Sequence, residues 1–134
     1  MVTQLKASFR VNVTDVLDNG FIGKSEESKR NARIQDKSLL NNNFKDGDHL
    51  IITIEVIDVG DVKNDKPNSE FYVAINEFAT NGGFYTKAIK EYENWKRAFL
   101  YEERGMIIFP NDDWERFEVN DIIKVIIKNE HYNI

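Results

Sequence analysis

Apolar and polar residues alternate along two separate stretches of the chain, as in a β-strand with one buried face. Residues 5–14 alternate strictly, and residues 71–75 repeat the pattern at Phe71, Val73 and Ile75. Two further runs, residues 49–57 and residues 121–128, are rich in β-branched residues and partly apolar on both faces. These four stretches predict strands, and the last two predict the central ones.

The order of these signals indicates that one pattern occurs twice. In each half an alternating strand precedes a Gly-Phe pair and a lysine, and a turn signal, Gly47-Asp48 or Asn120-Asp121, precedes a central run. We interpret the chain as two duplicated strand-strand-helix-strand units, residues 5–57 and 70–129, with a connector at residues 58–69. A half of that size buries little surface, so the units are expected to share one core in a single domain, 1–134.

Helices are predicted at three places. Residues 36–43 and 111–117 each begin with a capping type of residue, and each follows a short predicted strand, at residues 32–35 and 105–109. The second half is ten residues longer than the first. Apolar residues at steps of four, three and four predict that residues 87–103 form one longer helix inserted there.

Composition limits the class of protein more than its function. The 134 residues include 41% hydrophobic and 31% charged residues, no cysteine and no run long enough to cross a membrane. We expect a cytoplasmic protein with no membrane partner and no disulfide. A net charge of −5 argues against a protein that coats nucleic acid without specificity.

The second half carries a resemblance to a known group of folds. Residues 105–125 contain a glycine, a β-branched run, Pro110, a short helix signal and an Asn-Asp pair before a strand. This order resembles the AbrB-type cradle-loop barrels and the DNA-binding pseudobarrels of plant transcription factors and some restriction endonuclease effector domains. Asn120 replaces the usual glycine, and the first half has no proline before its helix. The resemblance implies a single α+β, β-rich pseudobarrel that binds DNA.

Positive charge is concentrated in two equivalent loop segments, although the whole chain is acidic. Residues 24–37 carry a net charge of +2 and residues 84–104 a net charge of +1, whereas residues 38–83 carry −5. Under a twofold arrangement we expect the two segments to form a clamp on nucleic acid. The predicted contact residues are Lys24, Lys29, Arg30 and Arg33 on one arm, and Lys87, Lys90, Trp95, Lys96 and Arg97 on the other.

Two other functions stay open. An acidic surface could meet a basic protein partner, in an interaction or inhibitor module, through Asp46, Asp48, Asp58, Asp61, Asp65 and Glu70. A remote alternative is a metal-dependent nuclease that uses Glu55, Asp58, Asp61 and Lys63. Neither His49 nor His131 has a partner at metal or catalytic spacing, so no enzyme activity, metal or cofactor is predicted. The oligomeric state is not predicted.

Overall fold

Eight strands dominate residues 5–89 and 103–130, the part of the chain that the computed structural model describes. They close into one antiparallel barrel in the order β1-β2-β3-β7-β6-β5-β8-β4, with β4 pairing back onto β1. The strands are Lys6–Leu17 (β1), Gly20–Lys24 (β2), Asn31–Gln35 (β3), His49–Val56 (β4), Glu70–Ala79 (β5), Gly83–Lys87 (β6), Glu103–Ile108 (β7) and Ile122–Asn129 (β8).

The predicted α+β class is wrong. Within residues 5–89 and 103–130 there is no α-helix, and the two predicted short helices are single 3-10 turns at Lys37–Leu39 and Asp113–Arg116. In the first, the Asp36 carboxylate accepts the Ser38 N–H at 2.8 Å and the Asn42 amide donates to the Leu39 carbonyl at 2.8 Å. These side-chain bonds satisfy the backbone within one turn, so the helix does not continue.

The predicted long inserted helix, residues 87–103, is wrong at both of its ends, because Lys87 and Glu103 both lie in strands. Lys87, its predicted first residue, is the last residue of β6 and pairs with Ala74 of β5 and Glu103 of β7. The backbone of Lys87 is therefore paired with two neighbouring strands, whereas the spacing of apolar residues predicts a helix there. The middle of the predicted helix, residues 90–102, lies outside the described residues.

Equivalent backbone bonds occur in the two halves of the barrel. The Val13 and Ile75 N–H groups donate to the Asp48 and Asp121 carbonyls at 2.8 and 3.0 Å. Returning bonds run to the Val13 and Ile75 carbonyls from residues with positive φ, Gly47 at 93° and Asn120 at 76°. Asparagine tolerates this left-handed conformation better than most residues, so Asn120 can occupy the place of the usual glycine.

Each half also contains a strand that the sequence pattern did not predict, β2 in the first and β6 in the second. Both pair with the preceding long strand across a one-residue irregularity, between Val13 and Asp15 in β1 and between Ile75 and Glu77 in β5. The halves are therefore related by an approximate twofold axis. It passes between Ile34 of β3 and Ile107 of β7, which pair directly with each other.

The inner faces of the strands form one hydrophobic core. Alternate residues of β1 are buried, as the period-two pattern predicted, and β4 and β8 alternate as well. Residues 71–75 of β5 do not alternate, because all five are buried. Phenylalanines close the barrel interior in each half: Phe21 packs against Phe44 with ring centroids 5.0 Å apart, and Phe84 against Phe117 at 5.8 Å. Aromatic pairs at this spacing add to the burial energy of the core.

Two glycines allow neighbouring strands to approach closely. A Cβ atom at Gly20 would lie 1.8 Å from the Ile34 carbonyl oxygen, and one at Gly83 would lie 2.0 Å from the Ile107 carbonyl oxygen. The clash is with backbone atoms, which cannot move aside as a flexible side chain can. These positions therefore require glycine because of space.

We predict that Gly83→Ala destabilises the fold, because its methyl group would force β6 and β7 apart. The expected loss in the free energy of unfolding is about 2 kcal/mol or more. Gly60→Ala is the matched control, since nothing lies within 4 Å of a Cβ there, and its effect is expected to stay within about 0.5 kcal/mol. Urea denaturation measures both. Equal stabilities of the two variants would contradict the close approach.

Candidate functional site

The first predicted basic arm lies on the hairpin that joins β2 to β3. The turn is closed by the Ser25 N–H donating to the Arg30 carbonyl at 3.0 Å and by the Lys29 N–H donating to the Ser25 carbonyl at 2.9 Å. Ser25 is buried under this turn, whereas Lys24, Lys29 and Arg30 are exposed. The hairpin thus holds two lysine side chains on the surface at defined positions.

Arg30 contacts the second half of the barrel. Its Nε donates to the Pro110 carbonyl at 3.0 Å and its Nη2 donates to the Asp112 carboxylate at 3.1 Å. Both side chains of the ion pair are more than half exposed, so the pair contributes little to stability. The contact places the β2–β3 turn next to the end of β7.

Arg33 begins a chain of polar side chains on the outer face of the barrel. Its Nε donates to the Gln35 amide oxygen at 2.8 Å, and the Gln35 amide nitrogen donates to the Asn19 side-chain oxygen at 2.9 Å. Arg33 and Gln35 alternate with the buried residues Ala32 and Ile34 along β3. The chain is therefore held by a strand whose other face is anchored in the core.

The second predicted arm is only partly described. Lys87 is 5% exposed, and its Nζ donates to the Asn120 side-chain oxygen at 2.6 Å. Burial lowers the pKa of this amine. Lys87 is therefore not part of the described surface, and Lys90, Trp95, Lys96 and Arg97 lie outside the described residues.

The structure does not bring Lys24 and Lys87 together. Since β3 and β7 are antiparallel, the β2–β3 turn lies beside Pro110 at the end of β7. The end of β6 pairs instead with Glu103 at the start of β7, which is the opposite end of the same strand. Lys24 and Lys87 therefore lie toward opposite ends of the β3–β7 pair, and the clamp itself stays a prediction because the rest of the second arm lies outside the described residues.

Two cavities of similar size open on the outer face of β2, β3, β7 and β6. One has a volume of about 210 Å³ and the other about 190 Å³. They lie on either side of the Ile34–Ile107 pair, at positions that the approximate twofold axis relates to each other. The first is lined by Asn19, Gln35, Tyr85, Arg104, Gly105 and Met106, and the second by Asn81, Ile108, Ile22, Asn31, Ala32 and Arg33.

Arg104 closes one end of the first cavity through a buried ion-pair network. Its Nε and Nη2 donate to both oxygens of the Asp36 carboxylate at 3.1 and 2.6 Å, and Nη2 also donates to Asp65 at 2.8 Å. Asp36 is fully buried. Burial raises the pKa of Asp36, and the bonds from Arg104 oppose that shift. This arginine therefore joins β7, the end of β3 and the connector.

The acids of the predicted protein-binding surface do not lie together. Asp46 precedes β4 and Asp58 follows it, so the two stand at opposite ends of that strand. Asp48 accepts the Lys45 N–H, and Asp65 and Glu70 are held by Arg104 and Tyr72. These acids are therefore spread over both ends of β4 and the connector, and Asp65 and Glu70 both contact Tyr72.

The described part of the chain contains no cluster of metal-ligating side chains. No three His, Cys, Asp or Glu residues within it are placed to hold a metal ion. Glu55 lies in β4 and pairs with Lys6 and Lys124, whereas Asp58 and Asp61 stand in the following 3-10 turn region. His49 begins β4, and His131 lies outside the described residues.

Comparison with known proteins gives no family for the chain. No protein-family model and no curated protein matches it. Among residues 5–89 and 103–130, no helix has the length and apolar character needed to cross a membrane. The functional proposal below is therefore argued from the geometry of the barrel.

Sequence reasoning missed the uncharged members of the two cavities. Arg33 was predicted from its charge, but Gln35 and Asn31 share its face of β3 and were not. The alternation of these polar residues with Ala32 and Ile34 was the signal that could have found them. No local pattern could have placed Tyr85 beside them, because that contact depends on the pairing of β3 with β7.

We predict that Arg104→Met destabilises the barrel strongly, because it leaves Asp36 buried without its cation. The expected loss in the free energy of unfolding is about 3 kcal/mol or more. The control is Arg116→Met, which removes a half-exposed arginine 4.0 Å from Asp113 and is expected to cost less than about 1 kcal/mol. Thermal and urea unfolding measure both variants. Equal losses would show that the buried network does not hold β7 in place.

A second network, around Glu70, predicts a dependence of stability on pH. The Tyr72 hydroxyl donates to Glu70 at 2.5 Å, and Lys124 and Lys66 lie 4.0 Å away. The hydrogen bond from Tyr72 and these lysines lower the pKa of Glu70 below its usual value of 4.5, while burial and the Glu70 bond raise the pKa of Tyr72 to about 12.

Because the folded pKa of Glu70 is lowered, its contribution is present above about pH 4.5 and is lost as pH falls through the folded pKa. The difference in unfolding free energy between the native sequence and Glu70→Gln should therefore shrink from about pH 6 to about pH 3. Glu115→Gln, at an exposed position, serves as control. A difference that stays constant with pH would refute the assignment.

Proposed function

We propose that the protein is a non-enzymatic nucleic-acid-binding module, and that it binds DNA on the outer face of β2, β3, β7 and β6. The observation that carries this proposal is the pair of equivalent cavities on either side of Ile34 and Ile107. Each opens on the sheet and is lined mainly by amide, guanidinium and aromatic or apolar groups. Such groups on a sheet suit the edges and faces of bases.

The polar side chains have the chemistry of base recognition. A guanidinium such as that of Arg33 matches the paired acceptors of guanine, and an amide such as that of Gln35 or Asn31 matches the donor and acceptor of adenine. The chain of hydrogen bonds from Arg33 to Asn19 fixes the orientation of these groups before a ligand arrives. A fixed orientation lowers the entropy cost of binding.

The cations of the hairpin supply contacts to phosphate. Lys24 pairs in register with Asn31, which lines the second cavity, and Lys29 lies in the adjoining turn. Phosphate contacts position a protein on nucleic acid, and base contacts give it specificity. The hairpin has three exposed cations, Lys24, Lys29 and Arg30. If all three contact phosphate, the logarithm of the binding constant should fall with the logarithm of the salt concentration at a slope of about −2 to −3.

The twofold relation of the cavities favours a duplex over a single strand. The two strands of DNA are related by twofold axes, and the cavities are related by the axis between Ile34 and Ile107. The cross-strand pairs that flank this axis, Arg33–Ile108 and Gln35–Met106, lie two residues apart along β3. That is a spacing of about 7 Å, so the two cavities would contact bases about two steps apart.

We predict that Arg33→Ala weakens binding to a pool of fluorescently labelled random duplexes by about tenfold, as for loss of one base contact. Arg116→Ala is the matched control, because it removes an exposed arginine that lines neither cavity, and it should change affinity by less than about twofold. Lys29→Ala should reduce the magnitude of the salt slope by about one. Fluorescence anisotropy at several salt concentrations measures all three.

Two results would overturn the proposal. One is the absence of binding to duplex and single-stranded DNA at low salt. The other is equal weakening by Arg33→Ala and Arg116→Ala, which would reduce the interaction to nonspecific attraction by positive charge. If single-stranded pools bind more tightly than duplex pools, the proposed surface is retained and single-stranded DNA replaces duplex DNA as its ligand.

A further inference from the structure

One exposed difference between the two halves of the barrel lies beside the hairpin that joins β5 to β6. In the second half Trp114 packs edge to face against Phe78, with ring centroids 5.7 Å apart. Its indole also covers Gly82, whose Cβ position would lie 3.6 Å from the Trp114 Nε1 atom. The β5–β6 hairpin is thus covered by an aromatic side chain from the segment that leads to β8.

The equivalent place in the first half follows from the backbone bonds. Asp36 and Phe109 donate their N–H groups to equivalent hairpin carbonyls, those of Asn19 and Gly82. Counting five residues onward reaches Asn41 in the first half and Trp114 in the second. By this count Asn41, with φ of 58°, corresponds in sequence to Trp114, so the first half has no aromatic residue at that position.

The partner of the indole is also smaller in the first half. Val16 pairs with Phe21 just as Phe78 pairs with Phe84, so Val16 is the counterpart of Phe78. The replacement of an aromatic pair by valine and asparagine leaves a cavity of about 410 Å³. Its lining residues are Val16, Leu17, Asp18, Leu40, Asn41 and Asn42.

Apolar side chains remain exposed around this cavity. Val16 is 44% exposed and Leu40 is 51% exposed. The rim is also fixed, because the Asn42 amide donates to the Leu17 carbonyl at 3.1 Å and to the Leu39 carbonyl at 2.8 Å. The cavity is therefore formed before any ligand binds, and its apolar wall gains by being covered.

We propose that this cavity is a docking site for an aromatic side chain of a partner protein, in the place that Trp114 takes in the other half. Charge on the rim selects the flanking residues of the partner. Asp18 lines the cavity, Asp15 is exposed on the same hairpin, and no lysine or arginine within residues 5–89 and 103–130 lines it. The favoured ligand is an aromatic residue flanked by basic residues. This site is separate from the proposed DNA-binding face.

Three capped tripeptides test the proposal: Lys-Trp-Lys, Lys-Ala-Lys and Glu-Trp-Glu, each acetylated and amidated. They are titrated into the full chain at millimolar concentration while the backbone amides are followed by ¹H–¹⁵N NMR. Lys-Trp-Lys should shift the amides of residues 16–18 and 40–42. Lys-Ala-Lys should leave them unchanged, and Glu-Trp-Glu should bind more weakly.

Variants then distinguish binding in the cavity from nonspecific binding elsewhere on the protein surface. Leu40→Ser should weaken Lys-Trp-Lys binding by about fivefold through loss of apolar contact. Asp18→Asn should reduce the preference for Lys-Trp-Lys over Glu-Trp-Glu by about threefold. Val59→Ser is the control, because Val59 is similarly exposed at 49% but follows β4 outside this cavity, and it should have no effect.

Two outcomes would overturn the proposal. In one, Lys-Ala-Lys shifts the same amides as strongly as Lys-Trp-Lys, so that charge alone explains binding. In the other, Lys-Trp-Lys leaves residues 16–18 and 40–42 unmoved or is unaffected by Leu40→Ser. Neither outcome bears on DNA binding, which Arg33→Ala tests on another face.

Discussion

The barrel depends on a short seam between β3 and β7. Only three residue pairs are in register there, Arg33–Ile108, Ile34–Ile107 and Gln35–Met106, whereas β4 and β8 share seven. These two seams join the halves. The short one is reinforced by close backbone approach at Gly105, where a Cβ would lie 1.9 Å from the Gln35 carbonyl oxygen, and by the buried Asp36–Arg104 pair next to it. Glycine packing and a buried ion pair thus compensate for few ladder bonds.

The proposed DNA-binding face is a consequence of that seam. Neither half contains a whole cavity, since Gln35 of the first half lines one cavity with Tyr85 of the second, and Arg33 lines the other with Asn81. The twofold axis through the seam makes the two cavities equivalent in position, while their side chains differ. Departures from the symmetry also explain the exposed cavity near Leu40, because Trp114 has no aromatic counterpart in the first half.

Local patterns predicted the four long strands: alternation predicted β1 and β5, and β-branched runs predicted β4 and β8. The expected alternation of burial holds in β1 but not at residues 71–75 of β5, which are all buried. Local patterns failed where the pairing of strands that are distant in sequence determines the structure. β2 and β6 are too short to show a period. Lys87 begins the stretch whose apolar residues follow a helical spacing, but it is paired between two strands. The separation of Lys24 from Lys87 has the same cause: the antiparallel pairing of β3 with β7 places the end of β2 and the end of β6 at opposite ends of that seam, and no short stretch of sequence encodes that pairing.

Native-state hydrogen exchange at the seam tests the central claim most directly. If β3 and β7 close the barrel, the bonded amides of residues 33–35 and 106–108 should exchange only with global unfolding, as slowly as those between β4 and β8. The contradicting result is rapid exchange of these amides while the β4–β8 amides stay protected. In that case the barrel would be open between β3 and β7, and the two cavities on the outer face would not form one surface.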